Sequence, residues 1–488
     1  MALPEIHNEL THNVKARLSR GLADLSAEHM IRLHAMVETI RKVYEVYGFT
    51  PLSTPAIEYL DVLGDSSGEE ARSSIFSVIS REKENLGLRF DLTVPLARFV
   101  AQHYNELPRP FRRYQIAPVW RCDKPGKGRL REFLQFDIDS VGVPSELADT
   151  EIIAAMCDSL DALRVGPYKI RLSSRGILNV LIDYAGIPHT LATDVFRVLD
   201  KLDKNGREKV RLELTTGYKD ESGAPIEGLR LTPSQVERVD AFLDIPSQDR
   251  NETLHHLRRL FKHTHGASDE IDELHKLSDH LAAIRYYSDR VAIDVSIARG
   301  LAYYTGPIFE AVVLQAEHVG AVMGGGRYDN LLMRFLGERV PAVGASIGVS
   351  RLLSVLDELH PREQRKSTAR VLVANLDEAL TPDYLQLTWE LRRAGIPTEL
   401  FLGSTHSMQK QLRHADRARI PIVALLGAHE KASDIVTIKD MDAGRANAVA
   451  APEMQRHPEA IGVQQPVPRA HVVATIRHML QEMDSHDA

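Results

Sequence analysis

Cysteine is almost missing from the sequence: Cys122 and Cys157 are the only two. They can build neither a disulfide framework nor a zinc site of sulfur ligands, and no other metal-ligand spacing surrounds them, so each is expected to be a buried or incidental thiol. Long apolar runs are missing as well. No stretch approaches the ~20 residues that span a bilayer, and the opening MALPEIHNEL lacks a charged start followed by an apolar block. A cytoplasmic protein with no membrane partner is expected. Excess positive charge is absent too: the formal net charge is −7, which argues against indiscriminate nucleic-acid binding and leaves any RNA to local basic patches and base contacts. No glycine-rich Walker or dinucleotide signature occurs, which speaks against a generic nucleotide-binding α/β protein.

What is present is organised around Phe111–Gly142. Two strand-like runs, Tyr114–Trp120 and Phe133–Val141, flank the turn residues Lys124-Pro125-Gly126-Lys127-Gly128, so the stretch reads as a hairpin. In the second run Leu134, Phe136 and Ile138 share one face, and Gln135, Asp137 and Asp139 the other. Arg121, Lys124, Lys127, Arg129 and Arg131 gather positive charge at the tip, where a polyanion can be held. The plainer reading is a solvated strand face beside a soluble loop.

Arg121, the basic loop, Arg129-Leu130-Arg131-Glu132-Phe133 and Gln135-Phe136-Asp137-Ile138-Asp139 resemble motif 2 of the class II aminoacyl-tRNA synthetases, and specifically of the histidyl-tRNA synthetase family. The resemblance runs over nearly the whole chain. A helix over Ala27–Tyr47, stopped by Gly48 and followed by Phe49–Glu58 with its prolines, resembles motif 1, whose family role is dimerisation; by itself it is a helix-to-strand corner. Leu88–Pro95 reads as a strand with Arg89, Asp91 and Thr93 on one face. Ala148–Leu163 reads as an amphipathic helix. A strand, VAIDVSIA from Val291, runs into Arg299-Gly300-Leu301-Ala302-Tyr303-Tyr304, which resembles the second signature of the family; a strand over Ile308–Leu314 and the glycines of Gly324–Asp329 follow. Val343–Leu353, a small-residue strand entering an apolar helix, has the shape of motif 3 with Arg351 as its arginine.

The resemblance implies an α/β fold of α+β type: an antiparallel catalytic sheet with helices, a helical insertion, and a C-terminal α/β anticodon-binding domain. The expected divisions are residues 1–190 and 286–365 for the catalytic core, 191–285 for the insertion and 366–488 for the anticodon-binding domain. The insertion, with helical segments Asp194–Leu202, Pro233–Phe242 and Asn251–Phe261, is either placed over a tRNA acceptor stem or a plain helical spacer. His360–Thr368 reads as a linker. Beyond it, strands and helices alternate over Arg370–Ala374, Tyr384–Ala394, Thr398–Phe401, Met408–Arg417, Ile422–Leu426 and Ile435–Lys439. Ala451–Arg469, rich in Pro and Gln, reads as a surface loop.

By the same resemblance the activity is ATP-dependent formation of histidyl-adenylate and transfer to tRNA(His). The alternative is a non-catalytic paralogue that senses histidine or tRNA or regulates another enzyme. Arg121 and Arg299 would be catalytic and hold the α-phosphate, Arg129 the γ-phosphate, and Arg351 the adenine face and γ-phosphate. Asp139 would accept from the imidazole N–H, and Tyr303 or Tyr304 would satisfy the other ring nitrogen. Asp91 and Gln135 would meet the α-ammonium, with Thr93 and Tyr328 beside it. ATP as substrate, Mg2+ with unassigned ligands, and a homodimer are implied. Two positions depart from the family pattern: Ala302 stands where aspartate is usual, and Ser350 where glutamate precedes the motif 3 arginine.

Overall fold

The computed structural model of the chain describes residues 15–64, 74–124, 126, 130–220, 223–298, 304–360, 365–443 and 464–487. The chain divides into two compact units, one comprising Ala35–Pro361 with the amino-terminal residues to Asp24, the other comprising Arg362–Ala488 with Leu25–His34.

The strands of the first unit are β1 (Thr50–Pro51), β2 (Ile57–Tyr59), β3 (Ser77–Ile79), β4 (Asn85–Leu88), β5 (Phe111–Trp120), β6 (Glu132–Val141), β7 (Tyr168–Ser174), β8 (Gly217–Lys219), β9 (Pro225–Glu227), β10 (Val291–Ile293), β11 (Pro307–Val313), β12 (Met323–Arg327) and β13 (Ala342–Gly348). Eight of them form one sheet in the order β1-β5-β6-β13-β12-β11-β7-β10. Its interior pairs are antiparallel, and only the end pairs β1–β5 and β7–β10 are parallel. The hairpin is as expected, with Phe111 opposite Val141 at one end and Trp120 opposite Glu132 at the other.

One face of this sheet is apolar and covered. Phe136 and Ile138 are fully buried there, with Tyr44 edge-on to Phe136 at 5.0 Å between ring centroids. Tyr44 belongs to the helix Ala27–Val46, which stops before Gly48, whose φ of +76° suits a residue without a side chain. The helix Glu146–Ala162 starts where the Ser145 hydroxyl accepts from the Leu147 N–H, and it buries Ile152, Ile153, Met156, Cys157 and Leu160. Cys157 is therefore a packing thiol, while Cys122 is exposed.

The region after residue 190 is mainly helical: Ala192–Leu199, Leu202–Leu214, Pro233–Leu243, Arg250–Leu260 and Ala267–Ala283. The expected segment Asp194–Leu202 is broken at Asp200–Lys201, and an unforeseen two-stranded hairpin, β8 with β9, interrupts the helices.

The expected strand over Leu88–Pro95 is corrected. The strand β4 ends at Leu88, and a helix begins at Thr93 and runs to Gln102. The Asp91 carboxylate accepts from the Val94 N–H at 3.1 Å, which holds the turn, and Pro95 sits in the first helical turn, where its missing N–H costs nothing. Arg89 leaves the shared face altogether: its guanidinium donates to the carbonyls of Thr54, Pro55 and Pro118. The strand from Val291 ends at Ile293, because the Asp294 side chain turns the chain by accepting from the backbone N–H of Ser296.

The second unit has a five-stranded sheet built from β14 (Val371–Val373), β15 (Thr398–Leu400), β16 (Ile422–Leu425), β17 (Ile435–Asp440) and β18 (Gln464–Pro468), in the order β15-β14-β16-β17-β18. Helices Thr381–Arg393, Met408–Ala418 and Val472–Asp487 accompany it. Within the expected loop Ala451–Arg469, β18 is instead an edge strand paired with β17, a position that tolerates Pro466 and Pro468. Residues 451–463 lie outside the described residues.

Candidate functional site

The other face of the eight-stranded sheet is polar and nonetheless buried. Register makes it so. Arg113 lies opposite Asp139, and Gln115 opposite Asp137, across β5 and β6. On the far side of β6, Asp139 faces Gly344, Asp137 faces Ser346 and Gln135 faces Gly348; one strand further, Gly344 faces Gly326 and Ser346 faces Gly324. Charged and amide side chains thus stand at one end of a floor made largely of glycine, where backbone can approach a flat ligand closely. The solvated-face reading of the second hairpin strand does not hold: Asp137 is 2% and Asp139 3% exposed.

The glycines are spatial requirements. A Cβ at Gly344 would lie 2.0 Å from Asp139 Oδ1, and one at Gly326 would meet the Tyr304 ring at 2.9 Å. Tyr304, half-buried, therefore lies over Gly326. Tyr328 is buried, and its hydroxyl donates to Asp139 Oδ1, so it acts on the carboxylate rather than standing apart from it. The other carboxylate oxygen is 2.7 Å from the guanidinium of Arg113, which is fully buried. Gln135 donates to the Ser346 hydroxyl at 3.0 Å, while its carbonyl oxygen Oε1 is buried without a protein partner. Asp137 Oδ1 is likewise buried and unpartnered.

The electrostatics follow from burial. Burial pushes the Asp137 carboxyl up to about 7; Arg113 opposes this, and Asp139 and Asp91 add to it. Asp139 is raised by burial against the pull of Arg113 and the Tyr328 hydroxyl. Asp91 is raised by burial against the Val94 N–H, Arg121 and Arg113. The layer favours a ligand that brings positive charge and N–H donors.

Arg121 follows β5 and donates from Nε to the Phe90 carbonyl at 3.0 Å, which sets its guanidinium beside Asp91. Arg131 is turned elsewhere, donating to the Asp123 carbonyl at 3.0 Å. Arg351, in the helix Val349–Leu359, donates to the Ala321 carbonyl at 2.6 Å; Ser350 beside it is exposed. Arg129, Arg299, Ala302 and Tyr303 lie outside the described residues, as do Pro125, Lys127 and Gly128 of the hairpin tip.

The family model described as histidyl-tRNA synthetase matches residues 21–352, and one described as an anticodon binding domain matches residues 370–455. The chain belongs to the histidyl-tRNA synthetase family. Relatives named histidine–tRNA ligase include one from Rhizobium rhizogenes, 39% identical over 96% of both chains, and one from Rhizobium meliloti, 39% identical over 97% of both. The crystal structure of histidyl-tRNA synthetase from Nostoc aligns with a TM-score of 0.79 at 29% identity, covering 96% of this chain and 100% of that one. An ATP phosphoribosyltransferase regulatory subunit/histidyl-tRNA synthetase from Bacillus halodurans shares the fold at a TM-score of 0.67 and 20% identity, over 83% of this chain and 97% of that one.

Three polar residues beside these candidates are not singled out by the sequence. Arg113 sits in a run of basic residues that reads as surface, and only its register with Asp139 reveals it. Ser346 is hidden in the small-residue strand of motif 3. Arg327 forms a buried ion pair with Asp149, directly before Tyr328 in the chain, and burial pushes Asp149 up to about 7 with Arg327 opposing. The triple glycine adjoining Arg327 and Tyr328 was the available signal for that pair.

Proposed function

We propose that the protein activates histidine with ATP, releasing diphosphate, and transfers it to tRNA(His), releasing AMP, as a histidine–tRNA ligase. The observation that carries the reading is the buried Asp139 carboxylate, held by Arg113 and Tyr328 over a glycine floor and standing beside unpartnered acceptors on Gln135 and Asp137. A planar ring bearing N–H donors, attached to an ammonium, matches that inventory. Asp139 accepts from the imidazole, and the hydroxyl of Tyr304 or Tyr303 serves its other nitrogen. Gln135 Oε1 and Asp91 receive the α-ammonium, with Thr93 beside them and Tyr328 orienting Asp139.

Attack of the histidine carboxylate on the α-phosphate builds negative charge, which fixed guanidiniums stabilise. Arg121 and Arg299 take that role; Arg129 holds the γ-phosphate, and Arg351 the adenine face and γ-phosphate. Among the described residues no group of three or more His, Cys, Asp or Glu is arranged to hold a metal ion; the proposed Mg2+ would be carried mainly by substrate phosphates and water, as is usual for that ion. Its contribution there would be to neutralise charge on the departing diphosphate.

The division into residues 1–190, 191–285, 286–365 and 366–488 is proposed as catalytic core, insertion, core and anticodon-binding domain. The break between compact units after Pro361 supports the last boundary. A homodimer is proposed through the motif 1 region, supported by Ile57 and Tyr59, which are 45% and 51% exposed on a strand at the edge of its sheet. A cytoplasmic location is proposed; among the described residues no helix is long and apolar enough to cross a membrane. The sensor alternative is not favoured, because the chain spans nearly the full length of relatives named as ligases. Histidine-dependent exchange of labelled diphosphate into ATP tests the proposal, and a wild-type protein silent in that assay would refute it.

A further inference from the structure

We infer that Arg113 is a positioning residue for histidine recognition, holding Asp139 as an ionised acceptor and fixing the distance between the two ends of the amino-acid pocket. The inference rests on the function proposed above and goes beyond it.

The guanidinium is fully buried and reaches two separate segments: Asp139 Oδ2 on β6 at 2.7 Å, and the Leu92 carbonyl at 3.2 Å. Leu92 lies between Asp91 and Thr93, the residues proposed at the α-ammonium, whereas Asp139 is proposed at the imidazole. One guanidinium nitrogen, Nη2, therefore lies within reach of both ends. It also settles what kind of partner Asp139 can be. Guanidinium only donates, so Asp139 must accept; the Tyr328 hydroxyl donates to the other oxygen, and the remaining lone pairs stay available to an N–H donor.

The charged and titratable groups around this pair are Asp137 on β6, Asp91 before the helix Thr93–Gln102, Arg121 after β5 and Tyr328 after β12. Take Arg113 away, and Asp137 and Asp139 stand together with no guanidinium beside them, while Arg121 still faces Asp91. Each then favours its neutral form. A protonated Asp139 offers an O–H where the imidazole N–H needs an acceptor, and the Leu92 turn loses its tether. Histidine binding suffers first, and most at low pH; ATP, proposed to be held by other arginines, is little affected.

The test uses the full chain with Arg113→Met and Arg113→Lys, measuring KM for histidine and for ATP by diphosphate exchange from pH 6 to 9. Ratios of variant to wild type cancel the titration of histidine itself. Arg113→Met is expected to raise KM for histidine by ~10-fold or more at neutral pH, the scale of a lost charge-assisted hydrogen bond. KM for ATP should stay within about two-fold, and the histidine ratio should shrink as pH rises. Arg113→Lys keeps the charge on a shorter, more flexible side chain that holds the two acceptors less firmly, so it should show a smaller, pH-independent rise. Should Arg113→Met fail to fold by circular dichroism, the lysine variant decides: a selective rise in the histidine KM supports the role, and an unchanged one overturns it. Joint rises in both KM values, a fall in kcat alone, or a pH-independent ratio for the methionine variant would reduce Arg113 to packing. Exchange absent from wild type would count against the proposed function instead, and calorimetric histidine binding would then read the same ratio for Arg113.

Discussion

Two glutamines, one in each compact unit, serve opposite ends: Gln411 sits fully buried on a helix, Gln135 partly buried on a strand. Gln411, in the helix Met408–Ala418, is fully buried and spends its amide inside the protein, donating to the carbonyls of Asn375 and Thr405 and accepting from the Asn375 N–H. Gln135 donates to Ser346 but leaves Oε1 buried and unanswered. The sheets around them differ in the same way. In the second unit, Val371, Val373, Ile422 and Ala424 pack one face, and Leu372, Ala374, Val423 and Leu425 the other, all buried. In the first unit, one face is apolar and the other carries carboxylates with unfilled acceptors. The Gln411 amide is consumed by the fold, whereas the Gln135 oxygen, beside the Asp139 carboxylate, is free to accept from a ligand N–H.

That contrast can be broken at its strongest point first. Leu387→Ala hollows out the apolar core of the second unit, where Leu387 is fully buried, and should cost ~2–5 kcal/mol of stability while leaving diphosphate exchange by folded protein unchanged. Thermal unfolding paired with exchange measures both; loss of exchange without unfolding would show that the two units are not separable in function. Arg121→Ala should do the reverse: a loss of ~3 kcal/mol in kcat/KM, on the order of 100-fold, with little change in melting temperature. Arg299→Ala is expected to behave in the same way. Near-normal exchange by either variant would remove it from the proposed phosphate site.

The third effect is smaller and has the opposite sign for stability. Asp137 is raised from the ordinary 3.8 to about 7, so the folded state holds a proton that the unfolded chain gives up. The stabilisation is complete below the unfolded value and disappears as pH climbs toward the folded one. Asp137→Asn should therefore be more stable than wild type at pH 8, by more than ~1 kcal/mol, with the gap closing below pH 4. Denaturant melts at the two pH values decide this, and a gap that widens on acidification would contradict it. Last, Ala302→Asp should alter histidine affinity by only ~1 kcal/mol in either direction, the scale of one net hydrogen bond. An inactive wild type beside an active Ala302→Asp would instead make the missing carboxylate indispensable.

The sequence made the hairpin legible because alternation and turn chemistry agree over Tyr114–Val141, and the resemblance named Asp139 and Gln135. It misplaced Asp91 and Thr93 on a strand, since a four-residue strand followed by a helix with Pro95 in its first turn alternates just as an extended strand would. Arg113 stayed hidden for a different reason. Its role depends on which residue lies across the sheet from it, and pairing between strands is written in no single segment. Likewise the edge strand β18 was masked by its own prolines, which usually signal loops.

The glycine floor sets unequal allowances for anything built to fill it. At Gly344 even one added methyl would crowd Asp139, whereas at Gly324 the nearest atom to such a methyl, among the described residues, is the Phe309 carbonyl oxygen, 3.8 Å away. An inhibitor extended toward Gly324 has room that an inhibitor thickened over Gly344 lacks. A single side chain at the position of Gly324 in a related enzyme would take that room away, which makes this spot on the floor a handle for chemical selectivity between close relatives.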